Sequence, residues 1–275
     1  AAGAAGAAGA GGAGAAGAGS GAASAGALSA VGDSVTGTGF LATGLGVGFF
    51  MAHVDGEALG GKIVRDAAFA DTRPNLARQC GEILARIHAL APPADLPISG
   101  ASHTIDELER VHREETWPRP VFELAFRWLR ENTPIDAPLK LVHGDFRNGN
   151  LLIGAEGVRA VLAWELAHVG DPMQDLGWLC VNSWRFGEID KPVGGFGQRA
   201  DLFAGYEAAS GVAVDPARVR FWEVLGVLRW GVICTMSTTV LRGPGPFAID
   251  RPMIARRASE TELDLLDLLE RVDAR

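Results

Sequence analysis

The sequence predicts an α+β fold, and two observations carry this prediction. From residue 74 onward, most of the chain places apolar residues at the spacing of amphipathic helices. Between residues 139 and 166 this pattern changes to three short apolar runs, separated by a polar loop and by the turn Gly154-Ala155-Glu156-Gly157. Such runs indicate a small antiparallel β element. A mainly helical chain with an inserted β-hairpin is typical of the α+β class.

Each element follows from a local pattern. A strand-like apolar run from Phe49 to Val54 precedes the turn signal Asp55-Gly56-Glu57. The stretch from Pro74 to Leu90 predicts an amphipathic helix with a proline in its first turn. Thr104 and Glu107 have the spacing of a capping box, which predicts that another helix begins at Thr104. Further helices are expected at 121–131, 173–184, 198–209, 216–241 and 251–272.

The composition narrows the classes of function. The chain has 275 residues and a formal net charge of -8 at pH 7. Nucleic acids and anionic membranes need clustered positive charge, so neither is expected as a partner. Cys80, Cys180 and Cys234 lie far apart, which indicates neither a zinc site nor a disulfide framework and fits a reducing cytosol. The longest apolar stretch, 224–236, is too short to span a bilayer, and we expect a cytoplasmic protein.

The first thirty residues are unusual, because all but Leu28 are Ala, Gly or Ser. One interpretation is a flexible, low-complexity arm, since such a tract has too little apolar area to offset chain entropy. The other, which we favour, is a folded segment in which Ala and Gly stand for side chains that were never identified. Arguments from composition therefore exclude the residues up to about 48.

The strongest chemical signal is the loop His143-Gly144-Asp145-Phe146-Arg147-Asn148-Gly149-Asn150, between two apolar runs. Asp145 and Asn150 are five residues apart, as in the catalytic loop of protein kinases. Phosphoryl transfer needs a carboxylate beside the attacking hydroxyl and oxygen ligands for a cation that bridges the phosphates, and one tight loop can present both. An isolated Asp and Asn in a polar loop more often indicate a simple turn. The His-Gly-Asp context and a second motif downstream favour the catalytic interpretation.

The second motif runs from Val161 to Leu176 and contains Trp164-Glu165, Gly170-Asp171-Pro172 and Asp175-Leu176. With both motifs the chain resembles kinase-like enzymes of the aminoglycoside phosphotransferase and choline kinase type. It is most similar to the phosphotransferase domains that are fused to some acyl-CoA dehydrogenases. The resemblance covers about residues 49–272 and includes Phe49-Phe50-Met51, Leu84-Ala85-Arg86-Ile87-His88 and the stretch from Glu260 to Leu266.

The resemblance implies a bilobal, protein-kinase-like fold with a small N-terminal β lobe and a larger, mainly helical C-terminal lobe. It implies ATP and Mg²⁺ as cofactors and a small molecule with a hydroxyl group as substrate. The lobes would span 1–50 and 59–275, joined by a hinge at 51–58, with the catalytic hairpin at 139–166. The nucleotide-binding residues of the hinge would be Phe50, Met51, Ala52 and His53.

The same resemblance implies roles around the loop. The catalytic residues would be Asp145, the base that accepts the hydroxyl proton, and His143, which would brace the loop rather than react. Asn150 would be a magnesium ligand. Asp175 would support the loop from below by accepting backbone hydrogen bonds, and Arg147 would be a second structural support.

One departure from the family pattern bears on activity. An Asp is expected directly before Trp164-Glu165, where this chain has Ala163. A methyl group cannot bind a metal ion, so the change should weaken Mg·ATP binding and turnover. Three accounts stay open: a natural pseudoenzyme, an altered or unidentified residue, or a metal ligand supplied by Glu165 or Asp171. In an extended strand Glu165 would share a face with Ala163, which makes it the candidate replacement ligand.

A second departure is that no Lys or Arg precedes Lys62, although the family places a phosphate-binding lysine in the N-terminal lobe. Lys62 itself is expected to be a solvated surface residue. We therefore expect an ATP- and Mg²⁺-dependent phosphotransferase, with a catalytically impaired kinase-like binding module as the alternative. Six tryptophans are interpreted as core side chains: Trp117, Trp128, Trp178, Trp184, Trp222 and Trp230.

Overall fold

The computed structural model describes residues 40–43, 46–49, 53–114, 117–239 and 250–273. Packing divides the chain into two units, Ala1–His53 and Val54–Arg275. In the first unit, strand β1 (Phe40–Thr43) pairs antiparallel with β2 (Gly46–Phe49). The strand expected at 49–54 is wrong in its bounds, because β2 ends at Phe49 and Val54 lies outside any strand. The Ala/Gly tract at 1–30 lies outside the described residues.

The described part of the second unit is mainly helical. Its α-helices are α1 (Gly60–Arg65), α2 (Arg73–Ala89), α3 (Ala101–Glu114), α4 (Pro120–Glu131), α5 (Met173–Cys180), α6 (Arg199–Ser210), α7 (Pro216–Thr239), α8 (Asp250–Ala255) and α9 (Ala258–Asp273). The predicted helix at 74–90 is confirmed as α2, and the helices at 121–131, 198–209 and 216–241 are confirmed as α4, α6 and α7. None of the described helices has the length and apolar character needed to cross a membrane.

Three helix predictions differ from the structure. The helix expected from Thr104 begins at Ala101, and the Thr104 hydroxyl donates to the carbonyl oxygen of Gly100 instead of capping the helix. The helix expected at 173–184 ends at Cys180 and is followed by a separate 3₁₀ turn. The helix expected at 251–272 is two helices, α8 and α9, because the chain turns at residues 256–257.

The core of the second unit lies mainly between α2, α4, α5, α6, α7 and α9. The expectation that Trp117 is a core side chain is wrong, because this residue precedes α4 and is exposed. At the crossing of α2 and α6 the two backbones approach closely. A Cβ atom on Gly81 would lie 2.1 Å from the carbonyl oxygen of Leu202, and one on Gly205 would lie 2.2 Å from that of Arg78. Glycine on both helices therefore permits this close crossing.

The described strands of the second unit form two sheets rather than one. Strand β3 (Lys140–Val142) pairs antiparallel with β6 (His168–Gly170), while β4 (Leu151–Gly154) and β5 (Gly157–Val161) form a hairpin. The hairpin and its turn are as predicted. The expectation that all three apolar runs form one element is wrong, because the first run pairs with a strand that begins at His168. The loop 143–150 thus connects two sheets.

Candidate active site

The start of the loop 143–150 is held from below by α5. The carboxylate of Asp175 accepts hydrogen bonds from the backbone N–H of His143 at 2.8 Å and of Gly144 at 2.9 Å. These are the hydrogen bonds that the sequence resemblance implies. Gly144 has φ +81°, and a Cβ atom there would lie 2.4 Å from the carbonyl oxygen of Leu166. The loop therefore needs glycine at this turn.

Asp175 is fully buried and is also bound from the side of α2. His88 Nε2 donates to Asp175 Oδ2 at 3.1 Å, and His88 Nδ1 lies 3.1 Å from the hydroxyl of Tyr206 on α6. Burial by itself would raise the pKa of Asp175, but the hydrogen bonds and charges of its neighbours outweigh burial and hold its pKa below the ordinary range. Asp175 is therefore an ionised anchor that joins the loop to three helices.

His143 is buried and uses both ring nitrogens within the protein. The backbone N–H of Asp145 donates to Nδ1 at 3.2 Å, so Nδ1 carries no proton. Nε2 must then carry the hydrogen, which it donates to the carbonyl oxygen of Leu162 at 2.9 Å. Burial lowers the pKa of His143, which favours this neutral form. The geometry is that of a bracing residue.

Asp145 lies between donors from two elements, and 15% of its side chain is exposed. Its Oδ1 accepts hydrogen bonds from Arg147 Nε at 2.9 Å and from Trp178 Nε1 at 2.7 Å. Its Oδ2 accepts one from Asn150 Nδ2 at 2.6 Å. The carboxylate is thus oriented by three side chains and is still partly accessible.

Asn150 is buried and faces Asp145 with its amide nitrogen. Besides the bond to Oδ2, Asn150 Nδ2 donates to the backbone carbonyl oxygen of Asp145 at 2.8 Å. With the nitrogen used in this way, Oδ1 is the end of the amide that can face a cation. An amide oxygen is a suitable ligand for Mg²⁺.

Arg147 supports Asp145 from the side. Its Nη1 donates to the carbonyl oxygen of Asn148 at 2.9 Å, and its guanidinium carbon lies 4.5 Å from the centre of the Trp184 ring. The amide nitrogen of the buried Asn148 donates to the carbonyl oxygens of Trp184 and Gly194. These contacts hold the guanidinium group in the position from which it binds Asp145.

A second arginine approaches the loop from α7. Arg229 Nη1 lies 3.3 Å from the carbonyl oxygen of Gly144, and its guanidinium carbon lies 5.1 Å from the centre of the Trp178 ring. Burial lowers the pKa of Arg229, and the negative charge of Asp145 opposes this effect. From the sequence, no role was expected for Arg229, which lies within the apolar stretch 224–236.

Ala163 has φ 64° and ψ 61°, in the left-handed region, and the 3₁₀ turn Trp164–Leu166 follows it. The backbone is therefore not extended, and the expectation that Glu165 shares a strand face with Ala163 is wrong. Glu165 is exposed, and its assignment as a metal ligand stays a prediction. Among the non-glycine residues, Asp and Asn are the types that most often adopt this conformation.

Asp171 is buried and engaged elsewhere. Its Oδ2 accepts hydrogen bonds from Arg218 Nε at 2.6 Å and from Trp222 Nε1 at 2.7 Å, so it does not replace the missing carboxylate. Within the described ranges, no group of three or more His, Cys, Asp or Glu side chains is placed to hold a metal ion.

Of the four nucleotide-binding residues that the resemblance implies for the hinge, the structure describes one, His53. Phe50, Met51 and Ala52 lie outside the described residues, and His53 is exposed. Lys62 Nζ lies 2.9 Å from Glu57 Oε2, with 57% of the lysine side chain exposed, as expected for a surface residue.

The model of the APH family, the phosphotransferase enzyme family, matches residues 30–222. This chain belongs to that family. The matched residues of this phosphotransferase-family chain include the whole loop 143–150 and its anchor Asp175.

Two curated relatives carry a similar segment. Acyl-CoA dehydrogenase family member 10 of Mus musculus is 32% identical over 113 residues, which are 36% of this chain and 10% of the relative. Acyl-CoA dehydrogenase family member 11 of Gallus gallus is 30% identical over 161 residues, which are 53% of this chain and 19% of the relative. The phosphotransferase-family chain thus spans less than a fifth of the length of either relative.

Solved structures share the kinase-like α+β fold at low sequence identity. A protein of Ralstonia eutropha assigned as an aminoglycoside phosphotransferase has a TM-score of 0.66 at 20% identity, covering 82% of this chain and 74% of that one. A choline/ethanolamine kinase family protein of Mesorhizobium loti has a TM-score of 0.58 at 18% identity, covering 85% of this chain and 73% of that one. The GDP complex of aminoglycoside 2'-phosphotransferase-IIIa has a TM-score of 0.58 at 16% identity, covering 82% of this chain and 74% of that one. The fold and family predicted from the sequence are confirmed.

Sequence reasoning missed two residues that contact the loop, Trp178 and Arg229, and one that binds its anchor Asp175, His88. His88 was part of the family resemblance without a role, Trp178 was interpreted as a core side chain, and Arg229 had no assigned contact. The available signal was the spacing of Asp175 and Trp178, which places both on one face of α5.

Proposed function

We propose that this chain is a small-molecule kinase that transfers the terminal phosphoryl group of ATP to a hydroxyl group, with Mg²⁺ as the metal. The observation that carries the proposal is the carboxylate of Asp145, held by three donors and still partly accessible, beside Asn150 on the same loop. Membership of the phosphotransferase enzyme family supports it. The proposed substrate is a small molecule with a hydroxyl group.

Asp145 would act as the general base. As the substrate oxygen attacks the terminal phosphorus, its proton would pass to the carboxylate. His143 would keep the loop in place, because both of its nitrogens are already hydrogen-bonded. Asp175 would hold the loop backbone from below.

Two observations bear on the proposed use of a nucleotide and Mg²⁺. The GDP complex of aminoglycoside 2'-phosphotransferase-IIIa shows a nucleotide bound to a protein of this fold. The amide oxygen of Asn150 fits as one magnesium ligand, whereas Ala163 offers none. Mg²⁺ commonly takes few protein ligands and fills its sphere with water and phosphate oxygens. When bound, it would neutralise charge on the phosphates.

The alternative is a kinase-like binding module with little or no turnover. Ala163 favours it, because the position lacks a carboxylate and neither Asp171 nor, in the described residues, a cluster of acidic side chains replaces it. The two functions differ in what happens to bound nucleotide.

Mg·ATP titration by calorimetry, followed by a phosphate-release assay, separates the two. An enzyme should bind ATP and turn it over slowly, and Asp145→Ala should abolish turnover. Loss of one charge-stabilising group typically lowers kcat on the order of 10²-fold, so Ala163→Asp should raise turnover by a comparable factor.

Two controls define the outcome. Glu114→Gln, on an exposed helical ion pair, should leave turnover unchanged. The free energy of unfolding of Ala163→Asp should be no lower than that of the parent chain, since Asp tolerates the left-handed conformation. Binding without turnover, both before and after Ala163→Asp, would establish the binding module instead.

A further inference from the structure

The two oxygens of the Asp145 carboxylate have unequal surroundings. Oδ1 accepts hydrogen bonds from Trp178 Nε1 at 2.7 Å and from Arg147 Nε at 2.9 Å. Oδ2 accepts one, from Asn150 Nδ2 at 2.6 Å. A carboxylate oxygen has about two lone-pair sites, so Oδ1 is filled and Oδ2 retains one.

We propose that Trp178 is a positioning residue for phosphoryl transfer, and this proposal rests on the proposed function. Its indole N–H, together with Arg147, occupies Oδ1 and leaves Oδ2 as the oxygen that receives the hydroxyl proton. The proton passes from the substrate oxygen to Oδ2 while the substrate oxygen forms its bond to the terminal phosphorus of ATP. The bond from that phosphorus to the bridging oxygen breaks in the same step, and ADP leaves with the electron pair. Trp178 acts through Asp145 and does not touch the reacting atoms.

The placement of Trp178 on α5 explains why its indole can hold the carboxylate. Asp175 lies three residues earlier, so both side chains project from one face of the helix. Asp175 holds the backbone at the start of the loop, and Trp178 holds the carboxylate two residues after His143. One helical turn therefore positions both the loop and its base.

The packing around Trp178 fixes the direction of the indole N–H. The side chain is buried, its ring lies 5.1 Å from the Trp184 ring, and the guanidinium carbon of Arg229 lies 5.1 Å from its centre. A Cβ atom on Gly226 would lie 3.0 Å from a ring carbon of Trp178, so the opposite helix also restricts the ring. Such a ring cannot turn away from Asp145 without displacing its neighbours.

Two neighbouring tryptophans show that the contact is specific to Trp178. The Trp184 and Trp230 rings lie 5.1 Å apart in the same cluster. Their indole nitrogens are buried and make no hydrogen bond to the described residues. Trp230→Phe therefore removes an equivalent N–H group from the cluster without removing a donor to Asp145.

The first test compares Trp178→Phe with Trp230→Phe. Phenylalanine keeps an aromatic ring and removes the N–H group. Small misplacement of a reacting group can lower the rate on the order of 10²-fold, so kcat of Trp178→Phe should fall by about 10-fold to 10²-fold while the KM for ATP is unchanged. Trp230→Phe should retain the parent kcat. Equal kcat in the two variants, at equal folded fraction, would overturn the proposal.

The second test does not depend on turnover. In ¹³C,¹⁵N-labelled parent protein, the indole N–H cross-peak of Trp178 is assigned from through-bond connectivities within its own side chain and backbone. Asp145→Asn replaces a charged acceptor by a neutral one, so it should shift this peak and leave that of Trp230 in place. A Trp178 peak whose chemical shift is unchanged in Asp145→Asn would overturn the proposal, even if Trp178→Phe fails to fold.

The outcomes separate the two proposals. Absence of turnover in both the parent chain and Ala163→Asp defeats the proposed function and the positioning role with it. Turnover with an undiminished kcat in Trp178→Phe defeats the positioning role alone. A selective loss of kcat together with the peak shift establishes both.

Discussion

At the scale of a residue, His143 stabilises the loop because one nitrogen accepts and the other donates. Nδ1 accepts from the backbone of Asp145, and Nε2 donates to Leu162, just after the end of β5. A proton on Nδ1 would remove the first hydrogen bond. The loop therefore depends on the neutral form of this side chain.

This dependence predicts a pH effect on stability. The pKa of His143 in the folded state lies below its ordinary value of 6.5, so below that pH the unfolded chain binds more protons than the folded chain. The free energy of unfolding should fall as pH decreases from about 6.5, by at most ~1.4 kcal/mol per pH unit from this group. His143→Asn lacks that contribution.

Urea unfolding at several pH values between 7.5 and 5.5 tests the effect. The difference in free energy of unfolding between the parent chain and His143→Asn should narrow as the pH falls, since only the parent chain has this group to protonate. The other histidines are common to both proteins. A difference that stays constant over this range would contradict the prediction.

At the scale of an element, the crossing of α2 and α6 sets the position of the anchor beneath the loop. His88 lies on α2 and Tyr206 on α6, and both belong to the hydrogen-bonded chain that ends at Asp175. The glycines at the crossing allow the helices to approach closely enough for this chain to form. If the helices moved apart, the hydrogen bond between His88 and Asp175 would be strained, and the loop that Asp175 holds would be displaced.

Gly81→Ala should separate them. The new methyl group would meet the carbonyl oxygen of Leu202 at 2.1 Å, a contact with backbone that cannot move aside cheaply. Overpacking of this kind typically costs about 1–3 kcal/mol of unfolding free energy. Urea denaturation monitored by circular dichroism measures the loss.

The matched control is Gly61→Ala on α1. A Cβ atom there would lie 3.8 Å from the nearest atom, an ordinary contact, so this variant should be neutral or more stable by up to about 1 kcal/mol. An equal loss of stability in both variants would show that the crossing is not the cause.

The bounds of a helix were easier to predict from the sequence than the pairing partner of a strand. The apolar spacing of α2 is a property of neighbouring residues, and its bounds were predicted to within one residue at each end. The start of α3 was not, because Thr104 binds Gly100 and so lies inside the helix. The partner of β3 was missed because strand pairing joins residues that are distant in sequence.

At the scale of the whole molecule, one buried carboxylate joins three parts of the second unit. Glu223 on α7 accepts hydrogen bonds from Arg199, at the start of α6, and from Arg185, which also binds the carbonyl oxygen of Cys180 at the end of α5. Burial raises the pKa of Glu223, and both arginines oppose this effect. The group is stable only as a paired set.

Glu223→Gln should therefore destabilise the protein strongly. It leaves two guanidinium groups without their counter-charge, and breaking a buried pair of this type costs roughly 3 kcal/mol. We take the lower end of the usual range because 34% of the Arg199 side chain is exposed. Thermal and urea unfolding should both show the loss.

Glu114→Gln is the comparison for this prediction. It breaks the ion pair with Arg110, in which both side chains are more than half exposed, and should change the free energy of unfolding by less than about 1 kcal/mol. Similar losses in the two variants would mean that burial of Glu223 adds nothing to the strength of its pairing.

The sequence by itself determined the helical character of the chain, the hairpin, the loop from His143 to Asn150 and the family, because periodicity and motif spacing are properties of residues close together in the chain. Only the tertiary structure decided which side chains surround that loop. Trp178 is 33 residues from Asp145, and Arg229 is 85 residues from Gly144. The left-handed backbone at Ala163 was likewise invisible in the sequence. Contacts over such separations depend on how whole helices pack, and no local pattern records them.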